Sequence, residues 1–81
     1  MAGFSKKERE RIYRRARYIQ AAMALRKLRK ALKLSQEKLA KRMKVKREFI
    51  SRIESGEQNV TLETLYKIAE ATGKEFSFRF R

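Results

Sequence analysis

The chain has 81 residues, with 23 Lys and Arg against 9 Asp and Glu, a formal net charge of +14 and a pI near 10.8. That length bounds it to one small domain with a modest core. The charge points to a polyanionic partner, whether DNA, RNA or an anionic membrane surface, and away from a neutral small-molecule substrate. Cys and His are both absent, which excludes disulfides, Cys/His zinc sites, thiol nucleophiles and histidine acid–base chemistry.

Ser5 and Glu8 have the spacing of a capping box, so a helix should start there. Neither Gly nor Pro interrupts the sequence from Ser5 until Gly56, and length alone allows that helix to run to about Ala31. Its apolar residues fall in two stripes: Ile12, Ala16, Ile19 and Met23, then Ala21, Leu25, Leu28 and Leu32. At about 100° per residue these lie on opposite sides. Either the helix breaks near Gln20–Ala24, or its two halves pack against different things. The favoured expectation is a long helix whose first half packs on the C-terminal part of the chain or on a second subunit.

Arg9, Arg11, Arg14, Arg15 and Arg17 crowd the first half. They form either a solvated face or a contact for phosphates or an acidic partner. The longest apolar run, Ala21 to Leu25, is far too short for a membrane span or a signal segment. No membrane partner is therefore expected, and the location predicted is cytoplasmic, at the nucleoid.

Leu34 to Gly56 reads as two short helices joined by a tight turn. Ser35 can cap the first, and Glu37 suits its positive end. Leu39, Ala40 and Met43 share one face. In the second, Ile50 and Ile53 mark an apolar side flanked by Val45 and Phe49, while Lys46, Arg47, Glu48, Ser51 and Arg52 stand between them. Two amphipathic helices and a turn also make an ordinary helical hairpin. A basic outer face held across a sharp turn, however, has the shape and charge to enter the major groove of DNA.

The run Ser35, Gln36, Leu39, Ala40, followed by Ile50, Ser51, Ile53, Glu54 and Gly56, resembles the helix-turn-helix of the Cro/C1-type (XRE) repressor family. The resemblance covers about Leu25 to Gly73. It implies an all-α, five-helix, lambda-repressor-like fold and sequence-specific binding of double-stranded DNA, with a transcriptional repressor as the expected output. Carried onto this chain, Lys46, Arg47, Glu48, Phe49, Arg52 and Gln36 would read bases. Gln36 could instead reach a phosphate or the recognition helix. Ser35, Lys38, Lys44, Ser55, Gln58 and Asn59 would hold phosphates. Arg29 and Glu54 would form a structural pair bracing the first core helix against the recognition helix. The chain departs from the family at Lys33 and Lys44, where Gly, or Gly or Asn, is usual, and at Lys46, where a capping Ser or Thr is usual. A Lys in a left-handed turn costs on the order of 1 kcal/mol.

Beyond Gly56, Thr61 can cap a further helix with Leu62, Leu65, Ile68 and Ala69 on its core side, closed by Gly73. Phe76, Phe78 and Phe80 then alternate with Ser77, Arg79 and Arg81, the period of a half-buried strand. A lone strand is unstable, so antiparallel pairing with a second copy, making a homodimer, is expected. Some HigA- and HipB-like antitoxins resemble this layout. The sequence thus divides into an extension (1–24), a helix-turn-helix domain (25–73) and a dimerisation strand (74–81).

Two other readings stand beside the repressor. One is an antitoxin-type module whose N-terminal helix neutralises a toxin protein, with DNA binding secondary; the other is charge-driven, sequence-neutral binding of nucleic acid. An enzyme is not expected, because no constellation combines an activated nucleophile, a base and a pocket, and no cofactor or metal is called for. The lack of Pro and Trp, with helices filled by Ala, Leu, Glu, Lys and Arg, is also what a designed or thermophilic sequence would show.

Overall fold

The computed structural model describes residues 3–77 and residue 80. Ser5 opens α1 (Lys6–Ala31): its Oγ accepts the Glu8 N–H at 3.1 Å, the capping expected from the spacing. Twenty-six residues of good helix formers follow without a break. The chain leaves α1 through Lys33 at φ 56°, with Lys33 N–H on the Lys30 carbonyl and Leu34 N–H on the Arg29 carbonyl. This is the paired bonding of a Schellman end, with Lys in the place that favours Gly.

Ser35 caps α2 (Gln36–Met43), its Oγ accepting Lys38 N–H at 3.0 Å. A second end of the same kind turns at Lys44, φ 58°. It leads into α3 (Arg47–Glu54), whose cap position, Lys46, offers no side-chain bond. Gly56 at φ 75° closes α3, and Thr61 caps α4 (Leu62–Thr72), which ends at Gly73.

α3 packs against both α1 and α2, and α2 also against α4. Leu25, Leu34, Leu39, Ala40, Met43, Ile50, Ile53 and Ile68 form the buried cluster, with Leu39, Ile50 and Ile53 fully enclosed. Each enclosed side chain contributes about 1.5–3 kcal/mol. Of the two stripes on α1, Leu25, Leu28 and Leu32 meet this core.

Three expectations are corrected. The helices number four among the described residues, not five, because nothing between Ser5 and Lys33 stops α1, and the extension and the first core helix are one rod. The first half of that rod meets the rest of the chain at the turn after α3, through Arg15 and Ile19, and its stripe stays largely open: Ile12, Ile19 and Met23 remain 41, 44 and 61% exposed. Finally, no strand occurs among the described residues, and 74–77 are irregular. A strand needs a partner edge. Phe76 instead sets its ring edge-on against Tyr66, centroids 5.3 Å apart at 87°. Phe80 is exposed, and Phe78 lies outside the described residues, so strand pairing through Phe76, Phe78 and Phe80 has no strand to rest on.

The largely open half of α1 also sets the overall shape. A compact chain of this length has a radius of gyration of roughly 12 Å, whereas here it is 14.4 Å, with a long axis of 44 Å. At 1.5 Å per residue α1 alone spans about 39 Å.

Candidate nucleic-acid interface

The amphipathic pattern of α3 decides which residues it shows. Ile50, Ile53 and Glu54 are buried, while Lys46, Arg47, Glu48 and Arg52 are exposed on its outer side. Phe49 differs from its neighbours: it is half-buried and packs against the core cluster, so its ring is only partly available.

Glu54 is the most unusual of the inward residues, a carboxylate with a side chain 3% exposed. Arg29 Nε donates to Oε2 at 2.7 Å and Nη2 to Oε1 at 2.9 Å, a two-pronged pair that matches the fork of the guanidinium to the carboxylate. The remaining arm, Nη1, donates to the Leu34 carbonyl at 2.9 Å. Hydrogen bonding to Glu54 holds the Arg29 guanidinium above its ordinary pKa, against the opposing effect of burial. The structural pair expected from the sequence is thus in place, and it ties α1 to α3 and to the turn before α2.

Gln36, the first residue of α2, joins this pair to the outer face. Its Nε2 donates to Glu54 Oε1 at 3.2 Å, and its Oε1 accepts from Arg47 Nη1 at 3.3 Å. A carboxylate accepts hydrogen bonds and does not donate them. Glu54 therefore takes the NH₂ end of the amide and leaves the carbonyl end facing Arg47. A chain of four side chains, Arg29–Glu54–Gln36–Arg47, runs from the interior to the exposed start of α3. Gln36 thus contacts α3 through both ends of its amide.

Of the residues expected to hold phosphates, none is buried. Ser35, Lys38, Lys44, Ser55 and Asn59 are exposed and Gln58 half-buried. Ser35 Oγ, already accepting from Lys38 N–H, keeps its own O–H to donate. Ser55 Oγ donates to the Arg52 carbonyl at 3.0 Å, so it would have to exchange that bond for an anion. Every buried side-chain polar atom among the described residues has a partner.

One contact had no signal in the sequence. Arg15 Nη1 donates to the Gly56 carbonyl at 2.8 Å, satisfying a free carbonyl just past the end of α3. The two residues are 41 apart, and no local pattern links them. α1 passes so near this turn that a Cβ on Gly56 would sit 3.6 Å from Ile19 Cγ1, on a backbone already at positive φ.

No described helix is long and apolar enough to cross a membrane. No curated protein and no solved structure matches the chain. The family model for the helix-turn-helix, however, matches residues 25–78, the part that holds α2, the turn and α3. With two thirds of its length so matched, the chain belongs to the Cro/C1-type helix-turn-helix family of DNA-binding domains.

Proposed function

We propose that α3 enters the major groove of double-stranded DNA and reads a short sequence there. An α-helix with its side chains, about 10–12 Å across, fits a groove about 12 Å wide. Arg47 is the principal reader, because a guanidinium can donate two bonds to guanine O6 and N7. Lys46, Glu48 and Arg52 touch neighbouring bases, and the exposed part of Phe49 meets a thymine methyl. Ser35, Lys38, Lys44, Gln58 and Asn59 hold the flanking phosphates, with Ser55 joining them once it releases the Arg52 carbonyl. The observation that carries this reading is the side-chain chain from Arg29 to Arg47, which fixes an exposed arginine at the start of the helix that would lie in the groove.

The output we infer is repression, a bound chain blocking the promoter it covers. This needs one chain per half-site. Pairing of two chains, no longer supported by a strand, would show itself as a palindromic target with half-sites about 34 Å apart.

Selection from a randomised duplex pool at about 150 mM salt tests the proposal. An enriched motif is expected, and Arg47→Ala should relax it at one base pair, a loss of about 1–3 kcal/mol of discrimination, while non-specific affinity stays. Absence of enrichment, with binding that vanishes as salt rises, would mean that charge alone does the holding.

A further inference from the structure

α1 carries two apolar stripes, and the core uses one of them. The other, Ile12, Ala16, Ile19 and Met23, is spaced four, three and four residues apart; all four are exposed, with Ile19 also bordering the turn at Gly56. That spacing is the two-position seam of a coiled coil. Tyr13, 55% exposed, flanks it about 100° round from Ile12; the seam itself is narrower than the face of a helix buried in a core or lying on a membrane, a width that suits one helix.

Charge decides which helix. By the helical repeat, Arg15 and Arg26 border the seam on one side and Arg9 and Lys27 on the other, and Glu8 is the one carboxylate on that side of α1. Along α1, Lys and Arg outnumber Glu eleven to two. A second copy would bring two such helices within about 10 Å of each other. The four seam residues, one of them Ala, fall well short of the roughly 800 Å² per partner of a stable interface, and nothing in a like-charged pair would make up the difference.

We propose that this seam docks an amphipathic helix of another protein, one whose own apolar seam is flanked by Glu and Asp. Carboxylates at the flanking positions would meet Arg9, Arg26 and Lys27, which adds attraction and selects the partner. The seam shares no residue with the outer face of α3, so the proposal stands apart from the DNA reading.

The probe is a labelled three-heptad peptide with Leu at the seam positions and Glu at the flanking ones, titrated with the full chain and followed by fluorescence anisotropy. Saturable one-to-one binding is expected. It should weaken at least tenfold when Gln replaces the Glu of the peptide, and again when the chain carries Ile12→Asn with Met23→Asn. Both positions are exposed, so melting and helix content should hold; Ala16→Glu, a single change that keeps helix propensity and puts a carboxylate in the seam, should give the same loss. Equal binding by a peptide with Ser in place of Leu would overturn the proposal, since charge alone would then suffice. So would full binding by the seam variants. Self-association of the chain that the seam variants abolish, with no peptide bound, would assign the seam to a second copy. A loss of mixed-sequence duplex binding in those variants, with no peptide bound, would assign it to DNA.

Discussion

Replacing Glu54 by Ala should reach further through this fold than any other single change. It deletes both bonds to Arg29, at 2.7 and 2.9 Å, and the one to Gln36 at 3.2 Å. The Arg29 side chain, 15% exposed, would keep its charge and its bond to the Leu34 carbonyl but lose its counter-ion. Removing one partner of a buried pair costs about 3–5 kcal/mol. Water still reaches part of the guanidinium and screens it, which sets the expectation at the lower end, about 3 kcal/mol. In a domain of this size each kcal/mol moves the melting temperature by roughly 4–8 °C, so a drop of about 12–24 °C should appear in a thermal melt followed by circular dichroism. Removing both charges together, Arg29→Met with Glu54→Leu, should return stability to within about 1 kcal/mol of the parent. That double variant also separates folding from reading. Gln36 would no longer have a carboxylate to fix its amide, so Arg47 would lose its orienting acceptor and discrimination should fall although the melt has recovered. A single variant that melts with the parent would refute the burial argument. A recovered double variant that still discriminates fully would refute the positioning role of Gln36.

Other changes test single links. Lys33→Gly and Lys44→Gly, at φ 56° and 58°, should each stabilise by about 0.5–1 kcal/mol in urea unfolding. Only Lys44→Gly should also weaken DNA binding; no gain at either site would mean that the turns carry no strain. Lys46→Ser supplies the side-chain cap that α3 lacks and should add about 1 kcal/mol, while its loss of positive charge lowers affinity for DNA. Arg15→Leu leaves the Gly56 carbonyl to water and should cost about 0.5–1 kcal/mol. An unchanged urea midpoint would show that water serves that carbonyl equally well.

Features that depend on a few neighbouring residues could be read from the sequence. Ser5, Ser35 and Thr61 cap the helices they precede, because a cap is decided within four residues. The Arg29–Glu54 pair came with the family resemblance, and its geometry bears it out. Features that need a distant partner could not be read in the same way. The alternating Phe residues near the C-terminus have the period of a strand, but a strand exists only where another edge accepts its bonds, and Phe76 found Tyr66 instead. The stripe from Ile12 to Met23 was visible as apolar, yet periodicity says which residues share a face and not what covers it. Arg15 read as one of five crowded arginines; only the folded chain singles it out as the residue that reaches Gly56.

That singling-out explains why α1 must be unbroken. Arg15 and Arg29 are about 21 Å apart along the helix at 1.5 Å per residue, yet they bond to residues only two positions apart, Gly56 and Glu54. The two long side chains, one from the middle of the rod and one from its C-terminal end, therefore converge on the C-terminal end of α3. A break near Gln20–Ala24, which the opposed stripes alone would have allowed, would uncouple the two arginines and let the end of α3 swing. At its start α3 is restrained differently, through Arg47 on Gln36 of α2. Clamped at its end by α1 and tethered at its start to α2, the eight-residue helix is held at both ends although its own cap is missing. An isolated helix so short would be unstable in water. The helix proposed to read DNA is thus rigid because of its neighbours, and the long helix beside it is needed for that rigidity whatever its exposed face goes on to bind.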